Sequence, residues 1–253
     1  MSIYFVISRL LEICCKVARI ECIKTHSMYT RSIQDSSIVI DLGANVGDFS
    51  VAMVNQFGCE CHAIEPVTAV FNSIPSIDGI NKYNLAIASI PGPVLIHTSV
   101  NRECHSIHKS IADEYGLLSS VEVPGIPFDR LIQDLGISQV DVLKVDIEGA
   151  EAMLFQSLDE ILLSRIGQIT IEFHDFVPGS ITKQQVASIC QRLKKSGFLM
   201  LPFSWMFPQM ATCDMLFINM QKLDCPFGDR MFFSAIRILL YLQYTKCRIA
   251  GKN

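Results

Sequence analysis

Acidic side chains and one histidine follow several short apolar runs of the sequence. These residues are Asp41, Glu65, Asp146 with Glu148, and Glu172 with His174. A carboxylate can bind the hydroxyls or the ammonium of a ligand, and a carboxylate or an imidazole can accept the proton of an alcohol. Because ligands of open α/β sheets bind at the carboxyl ends of the strands, we expect these side chains to share one cleft.

The run Asp41-Leu42-Gly43-Ala44-Asn45-Val46-Gly47 has the pattern of a turn between a strand and a helix. Its two glycines allow a tight turn and close approach of a ligand, and the following helix offers free N–H groups. Glu65, at the end of the next predicted strand, can accept hydrogen bonds from both hydroxyls of a ribose. We therefore predict an adenosine-type ligand. Its predicted contacts are Asp41, Gly43, Asn45, Gly47 and Glu65.

NAD is one candidate for this ligand. Its fingerprint, Gly-x-Gly-x-x-Gly, has a glycine two residues after the first, where this chain has Asn45. S-adenosylmethionine has no pyrophosphate and does not need that glycine. The turn therefore favours methyl transfer over hydride transfer.

Glu172 and His174 stand two residues apart at the end of a predicted strand, so they point to the same face. A strand inside a parallel sheet is normally apolar on both faces, and a cleft would explain these two polar residues. In one mechanism His174 or Glu148 is the general base, and Asp146 and Glu172 orient it or the substrate. In a second, Asp146, Glu172 and His174 bind Mg²⁺ or Mn²⁺. We favour the metal-free mechanism; the structural alternative is that Glu172 and His174 only hydrogen-bond a neighbouring loop.

The elements that would hold these residues alternate between apolar strands and helices, which is typical of a parallel sheet with crossover helices. The predicted strands are Ile38–Leu42, Cys61–Ile64, Asn84–Ser89, Val94–Thr98, Val140–Val145, Gln168–Phe173, Phe198–Phe203 and Asp214–Asn219. The predicted helices are Asp48–Phe57, Asp129–Leu135 with Asp129 as N-cap, Ala150–Ser164 and Thr182–Lys195. The last two strands have no helix between them, which predicts an antiparallel hairpin at the edge of a doubly wound sheet.

Length and composition fit one α/β domain with a large core, since half of the 253 residues are hydrophobic. A formal net charge of -4 excludes the electrostatic footprint of a nucleic-acid-binding protein. Ten dispersed cysteines indicate reduced thiols. We recognise no signal peptide in the N-terminal sequence and expect a cytoplasmic protein, with membrane association as the alternative.

The predicted domain occupies residues 37–220 and has a predicted helical segment on each side. Residues 1–36 are predicted as an amphipathic helical extension, because charged residues recur there at helical spacing. Residues 221–253 are predicted as a helical tail, whose stretch Met231–Tyr244 is too short and too charged for a membrane span. We expect this tail to cover the core or a dimer interface. Peripheral membrane contact through residues 231–248 is the alternative.

Four blocks of the sequence together resemble the FkbM family of methyltransferases. They are Val39–Ser50, Glu65-Pro66, Leu143–Glu151 and Ile171–His174. The most specific block contains Lys-Val-Asp-Ile-Glu-Gly-Ala-Glu, and the resemblance covers roughly residues 37–219. It implies a class I methyltransferase fold with a seven-stranded sheet, S-adenosylmethionine as cofactor, and O-methylation, often of sugars or of sugar-bearing and polyketide products. It also implies that Asn84 and Ala86 lie at the adenine edge and that Asp146 lines the cofactor site.

The leading hypothesis is an S-adenosylmethionine-dependent O-methyltransferase. Its acceptor would be a hydroxyl of a sugar, a glycosylated small molecule or a glycan. The alternatives are a catalytically idle adenosine-binding scaffold and a nicotinamide-dependent oxidoreductase. We expect the loops Asn101–Val123 and Ser204–Cys213 to determine acceptor specificity, with the part Asn101–Ser110 covering the substrate site.

Overall fold

The computed structural model describes residues 3–99, 106–107, 113, 116–175, 180–203 and 214–250. The helices over these residues are α1 (Ile3–Val17), α2 (Asp48–Phe57), α3 (Thr68–Phe71), α4 (Phe128–Asp134), α5 (Glu151–Ser157), α6 (Glu160–Ser164), α7 (Lys183–Lys195) and α8 (Phe227–Ala250). The strands are β1 (Ile20–Ile23), β2 (His26–Tyr29), β3 (Ile38–Leu42), β4 (Glu60–Ile64), β5 (Ile80–Tyr83), β6 (Ala86–Ile87), β7 (Gly92–Ser99), β8 (Leu117–Ile126), β9 (Val140–Val145), β10 (Ile166–Glu172), β11 (Phe198–Pro202) and β12 (Asp214–Asn219).

The central sheet has seven strands in the order β11-β12-β10-β9-β3-β4-β5. Strands β5, β4, β3, β9 and β10 are parallel, and β12 is antiparallel to both of its neighbours. This arrangement confirms the predicted doubly wound sheet with a closing antiparallel hairpin. The strand order reverses between β3 and β9, and ligands of such sheets bind where this reversal occurs.

The central strands are largely apolar because helices cover both faces of the sheet. Val39, Val142 and Ile169, on three of these strands, are fully buried. Helix α2 ends at Phe57, and Gly58, with a φ of 70°, is its left-handed C-cap. Helix α7 begins with a capping box, in which Thr182 and Gln185 bond each other's backbone N–H groups.

Three predicted elements differ from the structure. The third strand of the large sheet is β5, whereas Ala86–Ile87, inside the predicted strand Asn84–Ser89, pairs with β8 in a separate small sheet. Only Ile80 of β5 is buried, so this edge strand has no apolar run. The predicted helix Ala150–Ser164 is two helices, because Leu158 is extended and the Asp159 side chain caps a new helix. Asp129 lies in the first turn of α4, and the N-cap is Pro127.

The segment before β3 contains a helix and also a β-hairpin, β1–β2, that we did not predict. The hairpin lies against β10 and β12. Tyr29 N–H donates to Oε1 of Gln168 at 2.9 Å, and the Gln168 amide donates back to the Tyr29 carbonyl at 3.0 Å. Ser27 N–H donates to Asp214 at 2.9 Å. These buried bonds fix the hairpin to the sheet.

The two terminal helices, α1 and α8, pack against each other. The Gln243 amide donates to the Ser8 hydroxyl at 3.0 Å, and Leu11 shares an apolar cluster with Phe233 and Leu240. Over the described residues, neither of these helices nor any other has a stretch long and apolar enough to cross a bilayer.

Candidate active site

The predicted glycine turn connects β3 to α2 at the reversal of strand order. Gly43 has a φ of 76°, and a Cβ on it would lie 1.7 Å from the carbonyl oxygen of Asp146. Gly47, with a φ of 86°, is the N-cap of α2. Only glycine fits the first position, because the turn and the end of β9 are in direct backbone contact. The turn and Asp146, which directly follows β9, are therefore in close backbone contact.

Glu65 directly follows β4 beside this turn and is almost fully buried. One carboxylate oxygen accepts the Asn45 N–H at 3.0 Å, and the other accepts the Val67 N–H at 2.9 Å. Each oxygen keeps a second lone pair for a ligand hydroxyl. Burial raises the pKa of Glu65 to about 7, although these two hydrogen bonds favour the charged form.

Asn84 fixes the chain that follows Glu65. Its amide nitrogen donates to the carbonyls of Glu65 and Pro66 at 3.0 and 2.8 Å, and its oxygen accepts from Thr68 at 2.8 Å. Ala86 is buried in β6. Asn84 therefore holds the turn in place, and its contact with an adenine stays a prediction.

A buried lysine, Lys144, joins the glycine turn to Asp146. It lies directly opposite Asp41 in the β3–β9 pairing. Its ammonium is 3.2 Å from Asp41 Oδ1 and 3.6 Å from Asp146 Oδ2, and it donates to the Gly43 carbonyl at 2.6 Å. Burial opposes its charge, but the two carboxylates outweigh burial and raise the pKa of Lys144.

Asp41, before the glycine turn, has buried partners within the protein. The side chain of Asp41 is fully buried, and its other oxygen accepts the Ser50 hydroxyl at 2.8 Å. We expected Asp41 to lie near the ammonium of a ligand, directly or through water. In the structure its Oδ1 contacts the ammonium of Lys144. The contact of Asp41 with a ligand stays a prediction.

A second cluster consists of Asp146, Glu148, Glu151 and His174. His174, which follows β10 and is buried, lies at its centre. Its Nδ1 is hydrogen-bonded to Glu151 Oε1 at 2.8 Å. Its Nε2 is 3.3 Å from Glu148 Oε2 and 3.7 Å from Asp146 Oδ1. Burial disfavours the imidazolium, but hydrogen bonds to Glu148 and Glu151 outweigh it and raise the pKa of His174 to about 12.

Glu148 is aimed at His174 by an unusual backbone. Its φ is 48° and that of Gly149 is 97°, so the chain turns sharply between β9 and α5. The Ser106 hydroxyl donates to the Glu148 carbonyl. Ser106 belongs to the loop that we predicted over the substrate site, most of which lies outside the described residues, as does Ser204–Cys213. Burial raises the pKa of Glu148.

Glu172 lies at the edge of this cluster. It pairs with Asp214 across the β10–β12 ladder, and burial and the charge of Asp146 raise its pKa to about 8. Within the described part of the chain, the group that could hold a metal ion is Asp146, Glu148 and His174, whose ligand atoms lie within 4.8 Å of one another. Glu148 thus takes the place that we assigned to Glu172 in the metal set.

Two residues close to the cluster were not predicted. Glu151 is fully buried, and its Oε1 also accepts the Gly149 N–H at 3.0 Å. The sequence signal for it was its place in the Lys-Val-Asp-Ile-Glu-Gly-Ala-Glu block. His26, on the hairpin, has its Nε2 3.9 Å from Asp146 Oδ2, and burial and Lys144 lower its pKa to about 3. No motif marks His26 in the sequence.

Comparison with curated proteins gives a match to a short stretch of this chain. A 70-residue stretch is 33% identical to the AMB antimetabolite synthetase AmbE of Pseudomonas aeruginosa. That stretch is 28% of this chain but only 3% of the length of the relative. The chain therefore matches a small part of a much larger protein.

Solved methyltransferase structures resemble this chain distantly. Precorrin-6y C5,15-methyltransferase of Geobacter metallireducens matches with a TM-score of 0.38 and 10% identity, over 74% of this chain and 80% of that chain. The ribosomal protein L11 methylase of Lactobacillus delbrueckii subsp. bulgaricus matches with a TM-score of 0.37 and 13% identity, over 83% and 76%.

The family is shown by the match to a sequence model. The model of the methyltransferase FkbM domain matches residues 41–200, from the aspartate before the glycine turn to β11. That is more than half of the chain and includes both clusters described above. The chain thus belongs to the FkbM methyltransferase family.

Proposed function

We propose that this protein transfers a methyl group from S-adenosylmethionine to a hydroxyl of a sugar, a glycosylated small molecule or a glycan. The observation that carries the proposal is the group Glu148, His174 and Glu151, a buried acid–imidazole–acid series beside a cofactor turn. Such a series can orient a carboxylate and take up a proton, which an alcohol acceptor requires before it becomes a good nucleophile. Family membership favours methyl transfer over the nicotinamide alternative.

The described residues fit S-adenosylmethionine in charge and in hydrogen bonding. Glu65 offers two oriented oxygens to the ribose hydroxyls. Around the end of β9, the carboxyl groups outnumber the cations. The carboxyl groups are those of Asp41, Asp146, Glu148 and Glu151, and the cations are Lys144 and His174. This excess of acidic groups is complementary to a ligand that carries both a sulfonium and an ammonium.

S-adenosylmethionine, when bound, supplies an electrophilic methyl group and a good leaving group. The protein then has to orient the acceptor oxygen and accept its proton, and such orientation contributes roughly 7–11 kcal/mol in intramolecular reactions. We assign Glu148 as the general base, because His174 keeps its proton at neutral pH and cannot take a second one. Burial raises the pKa of Glu148, which strengthens it as a base. His174 holds Glu148 through Nε2, and Glu151 holds His174 through Nδ1.

Divalent metal catalysis is a second candidate mechanism, favoured by the grouping of Asp146, Glu148 and His174. One imidazole and two carboxylates suit Mn²⁺ or Mg²⁺, and Glu151 on Nδ1 would orient the histidine as carboxylates do at many metal sites. This mechanism requires His174 to lose its proton on metal binding. Dialysis against a chelator distinguishes the two mechanisms: activity should be unchanged if Glu148 is the base, and lost and restored by Mn²⁺ if a metal is required.

The proposal is tested by methyl transfer from radiolabelled cofactor into an extract that contains sugars and glycolipids. We expect labelled product with the natural chain and a fall in kcat of about 10²–10⁴-fold for Glu148→Gln. Glu60→Gln, an exposed glutamate at the start of β4, is the matched control and should retain full activity. Binding of S-adenosylhomocysteine without any methylated product would support the idle-scaffold alternative, and no binding would refute the methyltransferase proposal.

A further inference from the structure

Exposed apolar side chains concentrate on the two terminal helices. Nine of the fourteen large hydrophobic residues that are exposed in the described part of the chain lie on α1 or α8. Those on α1 are Phe5, Leu10, Ile13 and Val17, and those on α8 are Phe227, Met231, Ile238, Tyr241 and Leu242. Each helix already buries another apolar face, through residues such as Leu11, Phe233, Ile236 and Leu240. Covering the core therefore does not explain why the other apolar side chains of α1 and α8 are exposed.

The spacing on α8 places its exposed residues in one stripe. Phe227, Met231, Ile238 and Leu242 follow one another at intervals of four, seven and four residues, which keeps them on one side of an α-helix. Exposed Arg230 and Arg237 border this stripe. An apolar stripe beside arginines is the pattern of a helix that lies in a lipid–water interface.

Basic residues are concentrated in the same two terminal segments, and acidic residues lie mainly between them. Residues 1–19 and 230–253 together contain eight basic residues and one acidic residue, Glu12, whereas the 210 residues between them contain 13 basic and 24 acidic residues. The acidic body would be repelled by a negatively charged surface, and the two terminal segments would be attracted to it. An anionic surface would therefore orient the molecule with α1 and α8 towards it.

We propose that the exposed faces of α1 and α8 form a docking surface for an anionic phospholipid bilayer, on which the protein lies without crossing it. The apolar residues enter the boundary between headgroups and acyl chains, and the arginines contact the lipid phosphates. A second copy of the chain would cover the apolar stripe equally well, but its own basic helices would repel those of the first. The proposal concerns a surface that binds a partner. It does not depend on which mechanism operates at Glu148.

The test is flotation of the full chain with vesicles of phosphatidylcholine, with and without phosphatidylglycerol. We expect binding to the anionic vesicles, weakened by salt, and little binding to phosphatidylcholine alone. The double variant Met231→Gln/Ile238→Gln should bind about tenfold more weakly, because it replaces two inserted side chains. Ile90→Gln/Leu118→Gln, an equally exposed pair away from the helices, is the matched control and should bind like the natural chain.

Circular dichroism and titration with S-adenosylhomocysteine would show whether each variant is folded and keeps its ligand site. Absence of binding to anionic vesicles by the natural chain, or equal binding of both double variants, would overturn the proposal. A dimer in solution that Met231→Gln/Ile238→Gln dissociates would assign the surface to a second copy instead. Failure to bind S-adenosylhomocysteine would count against the proposed methyl transfer alone, so the two failures can be told apart.

Discussion

The binding of S-adenosylhomocysteine should release a proton from Glu65. In the ligand-free chain burial raises the pKa of this carboxyl group to about 7. Two ribose hydroxyls donating to its oxygens would stabilise the carboxylate, so binding below pH 7 requires the proton to leave. Affinity should therefore be constant above pH 7 and fall by about tenfold per pH unit below it, which makes binding at pH 6 about tenfold weaker than at pH 8.

The variant Glu65→Gln removes the carboxyl group that titrates and one of its two acceptor oxygens. It keeps one acceptor oxygen, and its NH₂ group faces the N–H of Asn45 or Val67. Loss of one hydrogen bond to a charged group costs about 1.5–3 kcal/mol, which is roughly a 10- to 150-fold loss of affinity at pH 8. Its affinity should also no longer depend on pH between 6 and 8.

Isothermal titration calorimetry at several pH values measures both effects. In two buffers with different ionisation enthalpies, the difference in observed enthalpy gives the number of protons released, which should approach one at pH 6 and zero at pH 8. Glu60→Gln, at the start of β4, should behave like the natural chain. A flat affinity profile in the natural chain, or an unchanged slope in Glu65→Gln, would refute the assignment of Glu65 to the ribose.

Three further predictions concern the second cluster and stability. Glu151→Gln should lower kcat by about 10- to 100-fold with little change in affinity for S-adenosylhomocysteine, because it weakens a hydrogen bond to the charged imidazole; equal losses in both quantities would contradict a positioning role. His26→Phe should lower kcat. The control His62→Phe, which replaces another buried histidine, should keep nearly full activity at a similar melting temperature. The free energy of unfolding of the ligand-free chain should fall as pH rises from about 5 to 8 in chemical denaturation. The reason is that Glu172 and Asp214, with pKa values of about 8 and 7, hold protons in the folded chain that the unfolded chain has released; a rise in stability over this range would show that other groups dominate.

The sequence predicts well those parts of the fold that depend on local patterns. Central strands such as Val140–Val145 are mainly apolar and buried, and Gly58 marks the end of the helix Asp48–Phe57. The edge strand Ile80–Tyr83 was missed because only one of its residues is buried, so its sequence has no apolar run. The break at Leu158 was missed because the helical pattern continues on both sides of it.

The candidate site was partly predictable for a similar reason. Strand ends are visible in the sequence, so Asp146, Glu148 and His174 could be expected to meet, and the structure brings them together. Contacts set by register between distant strands are not visible, and Lys144 beside Asp41 is one of them. His26 is another, since it reaches the cluster from a hairpin that carries no motif.

The hairpin β1–β2 also has a consequence for the order in which the chain can fold during synthesis. Ser27 bonds Asp214, 187 residues later, and the Tyr29 hydroxyl donates to Asp229, 200 residues later, at 2.6 Å. Contacts between such distant residues close large loops and form slowly. The hairpin can dock fully only after α8 has begun to leave the ribosome. Until then His26 has no fixed place beside Asp146, so we expect a nascent chain that lacks α8 to have an incomplete site.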